Sequence, residues 1–211
     1  MKPIILLGSG GHARVLLNQL RRLQVDILGI ADPYRPIAAD FFGLRILGED
    51  AAVLNYAAEQ IELVNGLGSL PKDAGLRCGL FSKFKQSGYH FKTLVDPAAF
   101  VASDAELAEG VQVMAGVIIQ AGTIIAENCI VNSGAIVEHD CRIGRHVHIA
   151  PGAVICGGVE IGDHVHIGSG ATLIQGLRIG EETVIGAGSI VTRNVASRQI
   201  VYPSRALVQD L

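Results

Sequence analysis

The stretch that decides the fold runs Val137-Glu138-His139-Asp140-Cys141-Arg142-Ile143-Gly144-Arg145-His146-Val147-His148-Ile149-Ala150-Pro151-Gly152-Ala153-Val154-Ile155. A large aliphatic residue returns every six positions, at Val137, Ile143, Ile149 and Ile155, and the phase continues in both directions. Stepping by six from Val101 to Val191 meets 16 positions, every one Ile, Leu or Val, with no insertion. Four residues after each lies a second set, from Ala105 to Val195, nearly all small or β-branched. Neither a 3.6-residue period nor strict alternation accounts for this, so an amphipathic helix and a flat half-buried strand are both excluded. A six-residue unit fits one side of a triangular coil, with the large residue inward and the small one at the next corner. Three hexads make a coil and coils stack at about 4.8 Å, so the repeat predicts a prism of about five coils. Gly144, Gly162, Gly168, Gly180 and Gly186 follow the large residue, and Gly or Asn is expected to permit the turns. Cys129 and Cys141 fall on the inner corner, where they read as structural, against an acyl-cysteine mechanism.

Ahead of the repeat, Pro3 to Leu7 reads as a buried strand. Gly8-Ser9-Gly10-Gly11-His12-Ala13 follows, then a helix from about Ala13 to Leu23. Glycines between a strand and a helix let backbone approach a phosphate at the helix N-terminus. A second strand, Asp26 to Ala31, ends at Asp32, where an acidic residue would meet a ribose. A third strand is expected from Ile61 to Asn65, then Gly66-Leu67-Gly68-Ser69 and a helix over about Ala74 to Gln86. Only residues 1–95 precede the repeat, which suffices for one mononucleotide-binding half and not for two. The expected fold is an α/β, Rossmann-like half domain over 1–95 and a hexapeptide-repeat β-helix over 96–211, joined at Lys92 to Pro97. The glycine motif alone is equally a tight strand-to-helix turn or a phosphate-binding loop. Tyr34, Phe41 and Phe42 either line a pocket there or pack the small domain.

Composition removes several function classes. The net charge of −3 argues against nucleic-acid or membrane-surface binding, which a basic patch would require. No apolar run approaches the roughly 20 residues of a membrane span, and no leader is expected at the start. Four cysteines without CxxC spacing fit reduced thiols in a cytoplasmic protein.

Five of the seven histidines lie between residues 139 and 166. His139 stands at the third position of its hexad, near a corner and pointing out. An imidazole beside a carboxylate suits a general base, and either Asp140 or Glu138 could hold its tautomer. His146 and His164, and likewise His148 and His166, are one coil apart and stack. They read as structural, as a coenzyme or substrate contact in the case of His148, or as a zinc site shared between subunits.

Taken together, Gly8-Ser9-Gly10-Gly11-His12, the Thr93 to Pro97 junction, Glu138-His139-Asp140-Cys141, His148 and Gly157 resemble the hexapeptide-repeat bacterial sugar O- and N-acetyltransferases. These act on UDP-4-amino sugars or sialic acid. The resemblance implies a left-handed β-helix, acetyl-CoA as co-substrate, no metal, a homotrimer with sites between subunits, and small-molecule partners only. It further implies His139 as base with the following acid as its partner, His148 near the acetyl group and Gly157 as a backbone contact to the donor. Gly8, Gly10, Gly11, His12 and Asp32 would hold the nucleotide sugar. The expected activity is N-acetylation of a UDP-linked 4-amino sugar; O-acetylation of a sialic acid is the alternative, with a zinc hydratase or a non-catalytic binding module more remote. The chain departs from the family at Asp140, where some members carry Glu, and at Val201-Tyr202-Pro203-Ser204-Arg205. Arg193, Arg198 and Arg205 are the candidate phosphate partners.

Overall fold

Four consecutive apolar residues form β1 (Ile4–Leu7), and all four are buried, as befits a strand covered on both faces. The computed structural model describes residues 2–71 and 74–204, in two compact units: one of residues up to Pro97 with Ala108–Val111, the other of Ala98–Leu107 with the residues from Gln112 onward. In the first unit, β1 is followed by α1 (Gly11–Arg22), β2 (Ile27–Ala31), β3 (Asp40–Phe41), β4 (Leu44–Gly48), β5 (Glu62–Asn65) and α2 (Ala74–Gln86). The sheet runs β3-β4-β2-β1-β5; β1 lies parallel to β2 and β5, β2 is parallel to β4, and β3 is antiparallel to β4.

Helix α1 buries Ala13, Leu16, Leu17 and Leu20, spaced to one face of a 3.6-residue turn. Arg21 and Arg22 occupy its last turn, where positive charge suits the helix dipole, and Arg22 also pairs with the buried Asp96 at 3.0 Å. Phe81 and Phe84 of α2 pack with Ile5, Leu7, Leu63 and Phe91 in the core of the unit. Each such side chain contributes roughly 1.5–3 kcal/mol before the cost of ordering the chain. The segment Ala108–Val111 is tied into this unit by Glu109, which accepts from Lys85 Nζ and the Phe91 N–H, both at 2.7 Å. The β3–β4 hairpin was not legible in the sequence. Its turn residues, Phe42 and Gly43, have φ of +51° and +84°, and a phenylalanine stands where Asn is the usual signal.

In the second unit each hexad contributes a two-residue strand whose second residue points inward; Ile119, Val131, Val137, Ile149, Ile155 and Ile167 have no exposed surface. The strands stack as three parallel ladders. The first carries Phe100, Ile118, Ile136, Val154, Thr172 and Ile190 on its outside, an apolar column. The second carries Glu106, Ile124, Arg142, Glu160 and Arg178, mostly charged. The third carries Gln112, Ile130, His148, His166, Val184 and Ile200.

Polar residues of the inner corner are satisfied by the backbone. Thr123 Oγ1, Cys129 Sγ and Cys141 Sγ donate to the carbonyls of Glu138, Gly144 and Cys156, each 15 residues ahead. Thr183 Oγ1 reaches Ala196, only 13 ahead, because the last coil is two residues short. Val195 bridges Ile179 and Val201 pairs with Ile185, 16 residues apart where 18 holds elsewhere.

The glycines do not have the role expected of them. The turns are made by left-handed residues at another position of the hexad, for example Gly116, Gly134 and Gly152, with φ between +67° and +72°. Those after the large aliphatic are glycine because the next coil lies against them. A Cβ on Gly168 would meet Ala187 N at 2.5 Å, and one on Gly144 would meet Asp163 N at 2.7 Å. Among the described residues no helix is long and apolar enough to cross a membrane.

Candidate active site

His139 and Asp140 form the corner between the first and second ladders, where the chain leaves Ile136–Val137 and returns at Arg142–Ile143. His139 Nδ1 lies 2.8 Å from Asp140 Oδ2, with the two side chains 64% and 74% exposed. An ionised carboxylate only accepts, so this contact places the imidazole proton on Nδ1 and leaves the Nε2 lone pair available. Among the described residues Nε2 has no partner. The ring occupies the space over Gly157, one coil on: a Cβ there would sit 2.5 Å from Nε2 and 2.7 Å from Cε1. The Gly157 N–H likewise donates to no protein group among the described residues, whereas the neighbouring Gly158 N–H is spent on the His139 carbonyl at 2.8 Å.

Glu138, the other carboxylate considered, is half-buried and makes no hydrogen bond to the ring among the described residues. Cys141 is fully buried on the inner corner; burial pushes its thiol up, away from the reactive thiolate.

His148 points outward from the third ladder, on the side of the prism opposite the His139 corner, so a single chain does not bring the two together. It is 8% exposed, and its Nε2 is 3.3 Å from Asn132 Nδ2. Because Asn132 Oδ1 takes the Ser133 N–H at 2.8 Å, the amide turns its NH2 to the ring and Nε2 of His148 is an acceptor. Asn132 escaped the sequence reading; its only signal was a position nearly one coil before His148. Beneath His148 lies His166, ring centroids 4.9 Å apart, with Nδ1 buried and unpartnered among the described residues. Burial lowers the pKa of His166, because desolvation disfavours the charged ring. His146 and His164 occupy a different corner, stacked at 4.8 Å, with Asn128 Nδ2 2.9 Å from His146 Nδ1.

In the first unit the glycine loop opens α1. Gly8 has φ of +86° and packs closely on Leu67, while a Cβ on Gly10 or Gly11 would meet nothing within 4 Å among the described residues. Among the described residues, then, packing does not demand glycine at those two positions. His12 stands in the first turn, beside Gly68. Asp32 turns into the loop. Its Oδ2 accepts from the Ser9 N–H at 2.7 Å and Ser9 Oγ at 2.5 Å, and its Oδ1 from the Tyr34 N–H at 2.7 Å. Ser9, quoted in the loop motif but given no role there, is thus the residue that links the acid to the loop. A cavity of about 360 Å³ is lined by Gly8, Asp32, Tyr34, Leu67, Leu76 and Lys83, among others. Phe41 is buried in the sheet and Phe42 lies under the Arg14 guanidinium, 4.4 Å from its centroid; neither lines this cavity.

Of the candidate phosphate partners, Arg193 is exposed at the bend after the first ladder, Arg198 is paired with Glu182 at 3.0 Å, and Arg205 lies outside the described residues.

The bacterial transferase hexapeptide family, in its six-repeat form, matches residues 122–157, 140–175 and 158–193. No curated protein matches the chain. Among solved structures, PerB from Caulobacter crescentus, in complex with CoA and GDP-perosamine, is 33% identical with a TM-score of 0.85, over 95% of this chain and 93% of PerB. The acetyltransferase domain of PglB from Neisseria gonorrhoeae, in complex with acetyl coenzyme A, is 26% identical with a TM-score of 0.85, over 98% of this chain and 99% of that one. WeeI from Acinetobacter baumannii, 21% identical with a TM-score of 0.82 over 96% of this chain and 97% of its own, shares the fold. The chain belongs to the hexapeptide-repeat bacterial sugar acetyltransferases, acyltransferases built on a left-handed parallel β-helix behind a Rossmann-like half domain.

Proposed function

We propose that this protein transfers the acetyl group of acetyl-CoA to the amine of a nucleotide-linked 4-amino sugar, with His139 as the general base. The observation that carries the proposal is the His139 corner: Nδ1 tied to Asp140 at 2.8 Å and, among the described residues, Nε2 unpartnered with the unspent N–H of Gly157 beneath the ring. The sugar amine attacks the thioester carbonyl carbon as Nε2 takes the amine proton. The oxyanion accepts from the Gly157 N–H, and the C–S bond breaks as the coenzyme thiolate recovers the proton from the imidazolium. Asp140 stabilises that imidazolium and fixes its tautomer.

Nucleotide binding is assigned to Gly8, Gly10, Gly11, His12 and Asp32. The cavity beside Asp32 and, among the described residues, the open space over Gly10 and Gly11 support it, with Asp32 shaping the loop through Ser9. The UDP form of the acceptor expected from the sequence stands beside a GDP form, because PerB carries GDP-perosamine. Acetyl-CoA as donor is supported by the coenzyme in both PerB and the PglB domain. Arg193 follows His139 by three coils along one corner, about 14 Å at the coil spacing, and is assigned to the coenzyme phosphates.

A homotrimer completes the site in this reading. The apolar column of the first ladder, with Phe100 55% and Ile190 73% exposed, borders the His139 corner and supplies a surface for a second copy. His148, on the opposite side, would then serve the acetyl group of a neighbouring site.

The test is thiol release from acetyl-CoA with UDP- and GDP-linked 4-amino sugars, with sialic acid and without acceptor, beside His139→Ala. Release with one amino sugar, lost in the variant, is the expected result. Undiminished release by His139→Ala would remove the base assignment, and release with sialic acid alone would move the chain to O-acetylation.

A further inference from the structure

Four residues, one coil apart, share the turn position that follows His139: Gly122, Asp140, Gly158 and Gly176, with φ of +68°, +59°, +68° and +69°. Backbone conformation alone makes the three glycines equivalent. Their surroundings do not. Among the described residues a Cβ on Gly158 or Gly176 would meet nothing within 4 Å, whereas one on Gly122 would sit 2.6 Å from Asp140 Oδ1 and 3.6 Å from its Cγ. The carboxylate of Asp140 therefore lies in the space that the missing side chain of Gly122 leaves, one oxygen toward that glycine and the other on His139 Nδ1. Among the described residues Asp140 makes no other side-chain hydrogen bond, and an ion pair this exposed is held weakly by its own attraction. What confines the carboxylate is the shape of its seat.

We propose that Gly122 is a positioning residue of the acyl transfer, acting through Asp140: its lack of a side chain sets the carboxylate in the orientation that fixes the His139 tautomer. The inference rests on the assignment of His139 and Asp140 above. With Gly157 making room for the imidazole, the pair is seated between glycines of the two flanking coils, Gly122 on the coil before against the acid and Gly157 on the coil after against the base.

The experiment is a double-mutant cycle on kcat, run at high enzyme concentration, using Gly122→Ala, Asp140→Ala and the double variant, with Gly176→Ala as control. Gly122→Ala is expected to lower kcat about 10-fold or more, approaching the loss in Asp140→Ala, and to cost nothing further once Asp140 is alanine. Gly176→Ala imposes the same backbone strain at the same corner and leaves kcat essentially unchanged. Equal effects of the two glycine variants, or a loss of equal factor in the wild-type and Asp140→Ala backgrounds, would overturn the inference. An undiminished rate in Asp140→Ala alone would instead bring down the catalytic assignment. Should Gly122→Ala fail to fold, Gly122→Asn and Gly176→Asn carry the same comparison, since Asn accepts the left-handed conformation while still filling the seat.

Discussion

Two corners of one prism carry histidines, and they use them differently. At the first, His139 precedes the left-handed residue, and Asp140 takes the left-handed position in a column otherwise glycine at 122, 158 and 176. At the second, the histidines themselves are left-handed, His146 and His164 both with φ of +60°, in a column that includes Asn128 and Glu182. The second corner stacks its rings on one another at 4.8 Å; the first holds a single ring, exposed, with a carboxylate on one nitrogen and, among the described residues, nothing on the other. A left-handed non-glycine residue costs roughly 1–2 kcal/mol. A column of them forms a ladder in which neighbours support one another. A single one among glycines has no such support from its neighbours, and Asp140 is tied instead to the imidazole of the proposed base.

The largest effect that could break this comparison is at His139 itself. His139→Ala should lower kcat by about 10²–10⁴-fold, measured by thiol release, with the fold intact by circular dichroism. Next comes Gly157→Ala: with a Cβ 2.5 Å from Nε2, the ring must leave its place, and a loss of at least about 10-fold in kcat is expected. A much smaller effect is expected at the second corner. His164→Gly should leave kcat unchanged and alter stability by no more than about 1 kcal/mol, because the relieved strain offsets the lost stacking; a large fall in kcat would erase the distinction between the corners.

The smallest is a pH effect on the third ladder. Burial lowers the pKa of His166 below its unfolded value of 6.5, so the unfolded chain binds more protons just under that pH. Stability should therefore fall as pH drops from above 6.5 toward the folded pKa, and His166→Gln should flatten that slope in thermal melts. A slope that survives the substitution would assign it to another group.

The prism was legible because its inward residues answer to one demand repeated without interruption. His139 and Asp140 were legible as an adjacent pair for the same reason, since the period places them at a corner. The choice between Asp140 and Glu138 was not, because it depends on which way each side chain leaves a turn whose backbone is left-handed at 140. Asn132 and Ser9 were missed since their meaning lies in contacts with residues 16 and 23 positions away. The five glycines that follow a large aliphatic were misread as turn residues because sequence records that a side chain is missing, not whether torsion or a neighbour forbade it. The 3₁₀ segment Asp50–Asn55 and the β3–β4 hairpin carried no usual signal.

The coil also sets the step in which this chain can grow or shrink. Each ladder is addressed by position within 18 residues, so removing one hexad would rotate everything beyond it by one face, carrying charged residues onto the apolar side. Removing a whole coil would leave each surface in place and only shorten it. The final turn, two residues short yet still in its ladders at Val195 and Val201, shows how much slack that rule allows: trimming within a corner is absorbed, provided the next aliphatic still arrives on its own face.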